Sequence, residues 1–487
     1  METQTQATPA AAPEERATGV IMAAALAYFA LNALLLGLVT PTAEWDHAEQ
    51  LILSQFPALG YNSQPPLYTW LVQALFTVTG PSLEALLALK AVLLTMIVWG
   101  LAMAARELGL TAALQWVAVL GLALIPQIAW EDQRNFTHTV LVVAVAAWCL
   151  VVLLRLPRRS GWGSYVLLGV LLGLGALSKY NFGLFALGLL AAAVTLPTWR
   201  RALFTWRFIV SLALAAVLFA PHGLWALSEP TAAREGFHKL EMTAGIGWAA
   251  LLDLAAGLAA TLGGLVLLSP LVLRRGAPRL QGRLGCRLLW RTAGVVLVLA
   301  VALLLASGAR DIKEHWLQPM VFYAPLLLAC HAAPAGWRGR AFAGIALLVL
   351  AAVSLALPGQ ALWADPERPS RLNAPYRELA AEMQAAGAAP ALVLADTDPL
   401  AGNLRLALPN AVVMSKRSFF PERLPGGDWL LVGEHLEDPG APFRRWLART
   451  LGLSQLEIRR AQAPLYYLPG QSMGLDWAVV AAPVEQP

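Results

Sequence analysis

The chain contains a long series of apolar stretches, each close to the length needed to cross a lipid bilayer. Of its 487 residues, 58% are hydrophobic and 13% are charged, whereas about a quarter of the residues in soluble domains are charged. One water-soluble core cannot bury so many apolar side chains, so a polytopic membrane protein is expected. We predict about eleven spans. They are Gly19–Leu38, Leu83–Met103, Leu110–Trp130, Thr139–Leu154, Trp162–Leu177, Phe182–Leu196, Phe208–Leu227, Leu251–Leu273, Ala293–Leu305, Leu317–Cys330 and Ala341–Leu357.

The Lys and Arg residues divide unequally when these stretches are threaded through a bilayer in alternating directions. With the N-terminus inside, fifteen cations of the short loops fall on the cytoplasmic side and six on the outer side. The positive-inside rule then predicts a cytoplasmic N-terminus and an extracytoplasmic C-terminus. Because the net charge of +5 serves topology, we expect no nucleic-acid partner.

Three regions follow from composition. Residues 1–18 are polar and rich in Ala and Pro, which predicts a disordered cytoplasmic tail, and residues 19–357 form the predicted membrane domain. Residues 358–487 are predicted to form a periplasmic α/β domain with helices at Tyr376–Ala386 and Pro442–Leu451. Its predicted strands are Ala391–Ala395, Trp429–Val432, Pro464–Leu468 and Trp477–Val480.

The first predicted outer loop has an unusual composition. Residues 41–82 contain no Lys or Arg but carry Glu44-Trp45-Asp46-His47-Ala48-Glu49-Gln50. In the residues that follow, Leu51, Ile52 and Phe56 fall largely on one helical face and the polar side chains on another. This pattern is typical of a helix that lies in the membrane interface.

Asp46 has two alternative interpretations. Followed by Glu49 at a spacing of three, it fits a capping box, in which its role is purely structural. A carboxylate held rigidly at the membrane surface also suits a catalytic base.

Two further motifs complete a family pattern. One is Pro65-Pro66-Leu67-Tyr68-Thr69-Trp70-Leu71, which predicts a second interfacial helix, and the other is Gly173-Leu174-Gly175-Ala176-Leu177-Ser178-Lys179-Tyr180 at an outer helix end. With Asp46-His47-Ala48-Glu49 they resemble the PMT_2 (GT39-like) glycosyltransferases of the GT-C class. That class includes aminoarabinose transferases acting on lipid A and RgtA/B/C/D-like galacturonosyltransferases. The resemblance is clearest from Gly19 to Leu196.

The resemblance implies both a fold and a reaction. The fold is an all-α polytopic membrane protein of the GT-C type, with interfacial helices in the first outer loop and a small C-terminal α/β soluble domain. The reaction moves a sugar from a polyprenyl-phosphate-sugar donor to a lipid or glycan acceptor at the outer face of the cytoplasmic (inner) membrane. The family's catalytic carboxylate corresponds to Asp46, which implies inversion with Asp46 as general base.

The chain departs from the family pattern at three places. His47 stands where many relatives have Glu, and Gln64 stands where many have a basic residue. A second family Asp is replaced around Thr137-His138, and Glu131 and Asp132 are candidates to substitute for it.

A departing phosphate must be stabilised by positive charge. Isolated cations on the outer side add nothing to positive-inside topology, and Lys90 lies inside a span, where a charge is costly and usually has a functional partner. Snorkelling and ordinary ion pairing are the alternatives for each of them. The candidate donor- and acceptor-binding residues are His47, Glu49, Gln64, Lys90, Glu131, Asp132, Arg134, His138, Lys179, Tyr180, Lys239, Arg310, Lys313 and His315.

The remaining motifs carry less information. Asp396-Thr397-Asp398 imitates the D-x-D of nucleotide-sugar enzymes, but we interpret it as a strand end followed by a helix cap. Cys149, Cys286 and Cys330 are predicted to be unpaired, since two fall inside spans and one falls in a cytoplasmic loop. No cofactor is required by the sequence, and a divalent cation is left open.

Two other functions compete with glycosyl transfer. A transporter or flippase of a lipid-linked sugar predicts internal repeats and helices broken near the midplane, and no repeat is found in the sequence. A non-enzymatic scaffold that presents the C-terminal domain leaves the acidic first loop unexplained.

Overall fold

The computed structural model describes residues 13–61, 64–229, 248–273, 284–307 and 314–482. The helices in this part, in chain order, are α1 (Pro13–Val39), α2 (Trp45–Leu53), α3 (Leu67–Thr79), α4 (Leu83–Glu107), α5 (Ala112–Leu120), α6 (Asp132–Arg134), α7 (His138–Arg155), α8 (Trp162–Ser178), α9 (Phe182–Val194), α10 (Pro197–Leu203), α11 (Trp206–Ser228), α12 (Trp248–Leu268), α13 (Leu284–Ser307), α14 (Gln318–Val321), α15 (Ala324–His331), α16 (Gly336–Leu362), α17 (Tyr376–Ala385), α18 (Asp398–Ala407) and α19 (Pro442–Leu451).

The membrane-spanning character of the helices is confirmed. Within the described residues, seven helices are long and apolar enough to cross a bilayer, namely α1, α4, α7, α11, α12, α13 and α16. Counting each of two sharply bent helix pairs as one span raises the number to nine, and α3 and α8 are shorter apolar helices. The number of about eleven spans stays a prediction.

The third predicted span, Leu110–Trp130, is not one straight helix. After α5 and a 3-10 turn at Gly121–Leu124, the chain passes Pro126 into a π-helical turn and α6, with 80° between the two halves. A proline lacks an amide hydrogen and pushes the preceding residue into an extended conformation. Ile125 is extended, with φ −105° and ψ 101°. The break therefore follows from the Ile125-Pro126 sequence, and it turns the chain toward α2.

The two short helices predicted in the first loop are present as α2 and α3. The apolar face of α2 does not meet lipid, however, because Leu51 and Ile52 are fully buried in protein. Ile52 belongs to one apolar core of the C-terminal domain, and Phe56, which follows α2, belongs to the other. The amphipathic pattern of α2 is thus explained by a covering protein domain.

The C-terminal domain contains a single five-stranded sheet in the described part of the chain. Its strands are β1 (Leu392–Ala395), β2 (Val412–Ser415), β3 (Asp428–Gly433), β4 (Arg459–Pro464) and β5 (Ser472–Ala481), in the spatial order β2-β1-β3-β5-β4. β1 pairs in parallel with β2 and β3, whereas β5 is antiparallel to β3 and β4. Helices α17 and α18 pack on one face of the sheet and α19 packs on the other.

Most elements predicted for this domain are confirmed. The strand predicted at Pro464–Leu468 is wrong, because β4 ends at Pro464 and the chain then turns toward β5. The D-x-D segment follows the end of β1 and leads into the first residue of α18, as expected, but its N-cap residue Thr397 makes no side-chain capping bond. β2 and α18 were not predicted.

The prediction of unpaired cysteines is wrong for two of the three. Cys286 and Cys330 form a disulfide with their Cα atoms 6.2 Å apart, while Cys149 is free and buried. The assumed loop around Cys286 is the first turn of α13, and Cys330 lies in the last turn of α15. The two helix ends adjoin, so the thiols meet.

A glycine sets the distance between α8 and α11, and this generates a test. A Cβ added at Gly169 would lie 2.6 Å from the carbonyl oxygen of Ser211 and 2.9 Å from its Cα. We expect Gly169→Val to force the helices apart and to lower the free energy of unfolding by about 1–3 kcal/mol. Thermal unfolding of the detergent-solubilised chain, followed by tryptophan fluorescence, measures the loss. Gly163→Val on the same helix is the control, since a Cβ there meets nothing within 4 Å; an equal loss in both variants contradicts the explanation.

Candidate active site

Asp46 is not the residue that caps the N-terminus of helix α2. The N-cap is Glu44, whose carboxylate accepts a hydrogen bond from the Trp45 amide at 3.4 Å. The capping-box alternative for Asp46 is therefore wrong. Because α2 is capped two residues before Asp46, the Asp46 side chain is available for contacts outside its own helix.

Asp46 contacts the segment that joins α6 to α7. Its amide donates to the side-chain oxygen of Asn135 at 3.0 Å. Its carboxylate Oδ2 accepts from the Thr137 amide at 3.3 Å, and the Thr137 hydroxyl lies 3.5 Å from the same oxygen. These contacts fix both the backbone and the carboxylate of Asp46, and they lie where a second family Asp was expected.

Two lysines supply positive charge to Asp46. Lys90 on α4 is 2% exposed, and its ammonium group donates to the Asn135 carbonyl at 3.0 Å. Lys179, directly after α8, donates to the Thr139 hydroxyl at 2.7 Å. Burial raises the pKa of Asp46 above its usual range, while the charges of Lys90 and Lys179 act in the opposite direction without cancelling it. The arrangement suits a base stronger than an exposed aspartate.

His47 is buried next to Asp46. It is 1% exposed, and its Nε2 has no hydrogen-bond partner among the described residues. Burial, reinforced by Lys90, lowers the pKa of His47 well below its usual range, which favours the neutral ring. A buried, unpaired ring nitrogen is an available contact for a ligand.

Polar side chains connect α2 to α3 and α7. The Gln50 amide nitrogen lies 3.3 Å from His138 Nε2, and the Gln50 oxygen accepts from the Thr69 hydroxyl at 2.8 Å. The Tyr68 ring lies 5.4 Å from the His138 ring, and the Tyr68 hydroxyl is buried without a partner in the described structure.

Asp132 is the second buried carboxylate of this region. It is fully buried, and its Oδ1 accepts from the Gln318 amide at 3.0 Å. Its Oδ2 and the Gln318 oxygen have no hydrogen-bond partner in the parts of the chain that are described. Glu131 instead pairs with Arg134 at 2.9 Å, and Arg134 also lies 3.6 Å from Glu44. Of the two candidates, Asp132 is therefore the one with a buried side-chain oxygen that has no partner within the described residues.

Of the other predicted residues, some contact other parts of the chain and some lie outside the described residues. Tyr180 contacts His222 at 3.0 Å, and the His315 ring lies 4.8 Å from the ring of Phe136. Gln64 forms a backbone bridge to Tyr61. Glu49 lies on α2 and is half-buried. Lys239, Arg310 and Lys313 fall outside the described residues.

Several site residues were missed by sequence reasoning. Asn135, Thr139 and Gln318 make direct contacts with the site, as does Gln50 of α2. The polar run from Asn135 to Thr139 at the start of an apolar helix was a usable signal. No sequence pattern links Gln318 to Asp132, since only the fold brings these two residues together.

The side chains that surround Asp46 are mainly positively charged, which bears on whether a metal ion could bind there. Among the described residues, no group of three or more His, Cys, Asp or Glu side chains could hold a metal ion. The neighbours that lower the pKa of Asp46 are Lys90, Lys179 and Thr137. These residues do not fit a metal ligand set.

The membrane bundle contains an apolar cavity of about 350 Å³. It is bounded by α1, α4, α5 and α16 and reaches Gln133. Gln133 also lines a smaller, mostly apolar pocket to which Asn32 and Lys90 contribute the other polar side chains. The apolar cavity thus adjoins a pocket that is lined in part by Lys90. This combination suits a ligand with an apolar tail and a charged head group.

Comparison with known proteins places the chain among membrane transferases. Residues 63–225 match the PMT_2 family, described as dolichyl-phosphate-mannose-protein mannosyltransferase. The chain is 31% identical to the lipopolysaccharide core galacturonosyltransferase RgtB of Rhizobium johnstonii, covering 94% of this chain and 97% of RgtB. It is 32% identical to RgtA of the same organism, covering 82% and 83% of the two chains.

A solved structure shares the fold. ArnT from Cupriavidus metallidurans, bound to undecaprenyl phosphate, superposes with a TM-score of 0.62 at 14% identity, covering 94% of this chain and 97% of ArnT. At this identity the likeness concerns the fold alone. The predicted GT-C fold is confirmed.

Lys90→Met tests the electrostatics of the site. Removing a nearby cation disfavours the ionised form, so the pKa of Asp46, already raised by burial, should rise further. An infrared pH titration of the carboxyl band, assigned by difference from Asp46→Asn, measures this pKa. Lys416→Met is the control, because Lys416 pairs with Asp396 in the C-terminal domain at 3.8 Å. A pKa that is unchanged or lower in Lys90→Met would show that Lys90 does not act on Asp46.

Proposed function

Because the chain belongs to the PMT_2 family of GT-C glycosyltransferases, we propose that it transfers a sugar from a polyprenyl-phosphate-sugar donor to the core glycan of a lipopolysaccharide. It is a multi-pass membrane glycosyltransferase. The relatives RgtA and RgtB are named for galacturonosyl transfer, so galacturonic acid is the first sugar to test. The undecaprenyl phosphate bound by ArnT supports the class of carrier.

Asp46 is proposed as the general base of a single inverting displacement. The acceptor hydroxyl gives its proton to the Asp46 carboxylate while its oxygen bonds to the anomeric carbon. The bond from that carbon to the phosphate oxygen breaks, and its electron pair stays on the polyprenyl phosphate. The observation that carries this role is the Asp46 carboxylate, which is not used as a helix cap and faces Thr137 near two lysines.

Lys90 and Lys179 are proposed to stabilise the departing phosphate. Their positive charges act on Asp46, and Lys90 lines a small pocket that shares Gln133 with the apolar cavity. Charge that develops on phosphate is best stabilised by fixed cations in a site with little water. The apolar cavity is proposed to take the first isoprene units of the carrier.

The buried polar atoms that lack partners are proposed to bind sugar hydroxyls. Asp132, Gln318 and His47 each carry such an atom within the described residues. An unpaired buried polar atom is costly unless a ligand or water satisfies it. His138, Arg134 and Tyr180 are proposed to line the path of the donor or the acceptor.

The proposed orientation follows the distribution of charge. We place residues 1–18 in the cytoplasm and the domain of residues 358–487 in the periplasm of an inner membrane. The active site then lies on the periplasmic side, because α2 contacts that domain.

The proposed role of Asp46 as the base can be tested by substitution. Asp46→Asn should lower the rate of transfer by at least about 10²-fold, with unchanged membrane level and thermal stability, because it keeps the shape but cannot accept the proton. Glu84→Gln is the control: Glu84 is exposed at the first turn of α4, the helix that carries Lys90. Transfer by Asp46→Asn within about threefold of the parent rate would remove Asp46 from the chemistry.

The second prediction separates transfer from transport. The purified chain in detergent micelles, given undecaprenyl-phosphate-galacturonic acid and lipopolysaccharide lacking that sugar, should yield a covalent product with one added hexuronic acid mass. A flippase needs two membrane leaflets and forms no such product. If only the vesicle-reconstituted chain moves the donor and no mass is added, the transporter alternative is correct.

A further inference from the structure

Helix α2 meets the C-terminal domain at a backbone-to-backbone contact. A Cβ added at Gly402 of α18 would contact the carbonyl oxygen of Ala48 and would lie 2.5 Å from its Cα and 2.6 Å from its carbonyl carbon. Only a residue without a side chain allows α18 to approach α2 so closely. Ala48 follows Asp46 by two positions and is fully buried.

The residue next to Gly402 holds the chain just before α2. The Asn403 side chain accepts from the Ala43 amide at 2.7 Å and donates to the Ala43 carbonyl at 3.1 Å. Both residues are buried. The two hydrogen bonds fix the peptide groups on both sides of Ala43, three residues before Asp46.

The other end of α2 is held in the same way. The Gln55 side chain accepts from the Val413 amide at 2.9 Å and donates to the Val413 carbonyl at 2.8 Å, at the edge strand β2. The Phe56 ring lies 4.9 Å from the ring of Phe420. The C-terminal domain therefore holds α2 at both ends and in the middle.

The start of α2 has a third set of contacts with this domain. The Arg371 guanidinium lies 4.5 Å from the centre of the Trp45 ring. The hydroxyls of Thr40 and Thr42 donate to the carbonyls of Leu372 at 2.8 Å and Ala374 at 2.9 Å. These contacts connect the link between α1 and α2 directly to the domain.

A helix of nine residues cannot hold its own position. Isolated helices of this length are unstable in water, so the location of α2 is set by what packs on it. On the side of the bundle, the contacts of Asp46 are its bonds to Asn135 and Thr137.

We propose that the C-terminal domain is a positioning element of the active site, and that Gly402 and Asn403 are positioning residues that set the location of the Asp46 carboxylate. This inference rests on the proposed role of Asp46 as base. Displacing a reacting group by about 1 Å can cost a factor of about 10² in rate. The domain thereby contributes to catalysis without touching either substrate.

Gly402→Ala tests the contact directly, with Gly426→Ala as the matched control. Gly426 lies in the same domain, and a Cβ there meets nothing within 4 Å. We expect Gly402→Ala to lower kcat by about 10- to 100-fold while KM for the donor changes much less. Displacing α2 also admits water to Asp46, so the acid limb of the pH–rate profile should move to lower pH.

Asn403→Ala tests the same inference without adding atoms at the contact. If Gly402→Ala does not fold, Asn403→Ala alone tests whether the domain positions the Asp46 carboxylate. Both variants should keep the parent's elution volume in size-exclusion chromatography. The infrared titration of Asp46 gives a readout that does not depend on transfer, and its midpoint should fall in both variants. If Asp46→Asn transfers sugar normally, the proposed base is wrong, yet this titration still reports whether the domain positions the carboxylate.

Two results would overturn the inference. One is a folded Gly402→Ala or Asn403→Ala chain with parental kcat, pH profile and Asp46 titration. The other is an equal loss of kcat in Gly426→Ala, which would mean that any change in the domain lowers activity.

Discussion

The site depends on the Asp46 carboxylate being held in a partly buried position near two lysines. Burial by itself favours the protonated acid, and the charges of Lys90 and Lys179 oppose it. A buried charge is stable only where partners compensate its loss of hydration. The three groups therefore depend on one another, and the same cations are available to a phosphate. Asn135 links α2 to α4, because its side-chain oxygen accepts a hydrogen bond from the Asp46 amide and its carbonyl accepts one from the Lys90 ammonium group.

Two irregularities of the fold bring these groups together. The break at Pro126 turns the chain by 80°, so that Asn135 and Thr137 reach α2. A straight helix would carry the chain past this position. The short helix α2 lies between the membrane bundle and the C-terminal domain, where Gly402 permits backbone contact. Irregular backbone thus occurs where the functional residues are placed, as is common in helical membrane proteins.

The sequence was sufficient for the fold class and for the principal charged residues. Asp46, Lys90 and Lys179 were identifiable because a charge in or near a membrane span is costly and needs a reason. Asn135, Thr139 and Gln318 were not singled out, because uncharged polar residues at helix ends are common. The contact between Gly402 and Ala48 joins segments that are far apart in the chain, and no local pattern encodes it. The Cys286–Cys330 disulfide was missed for the same reason: the ends of α13 and α15 adjoin only in the folded chain.

The most direct test is a cryo-EM structure of the full chain with bound undecaprenyl phosphate. The account predicts phosphate oxygens within about 3 Å of the ammonium groups of Lys90 and Lys179. It also predicts the isoprene chain in the cavity bounded by α1, α4, α5 and α16, with the Asp46 carboxylate facing the space beside the phosphate. A phosphate bound away from both lysines, with Asp46 directed into bulk water, would contradict it.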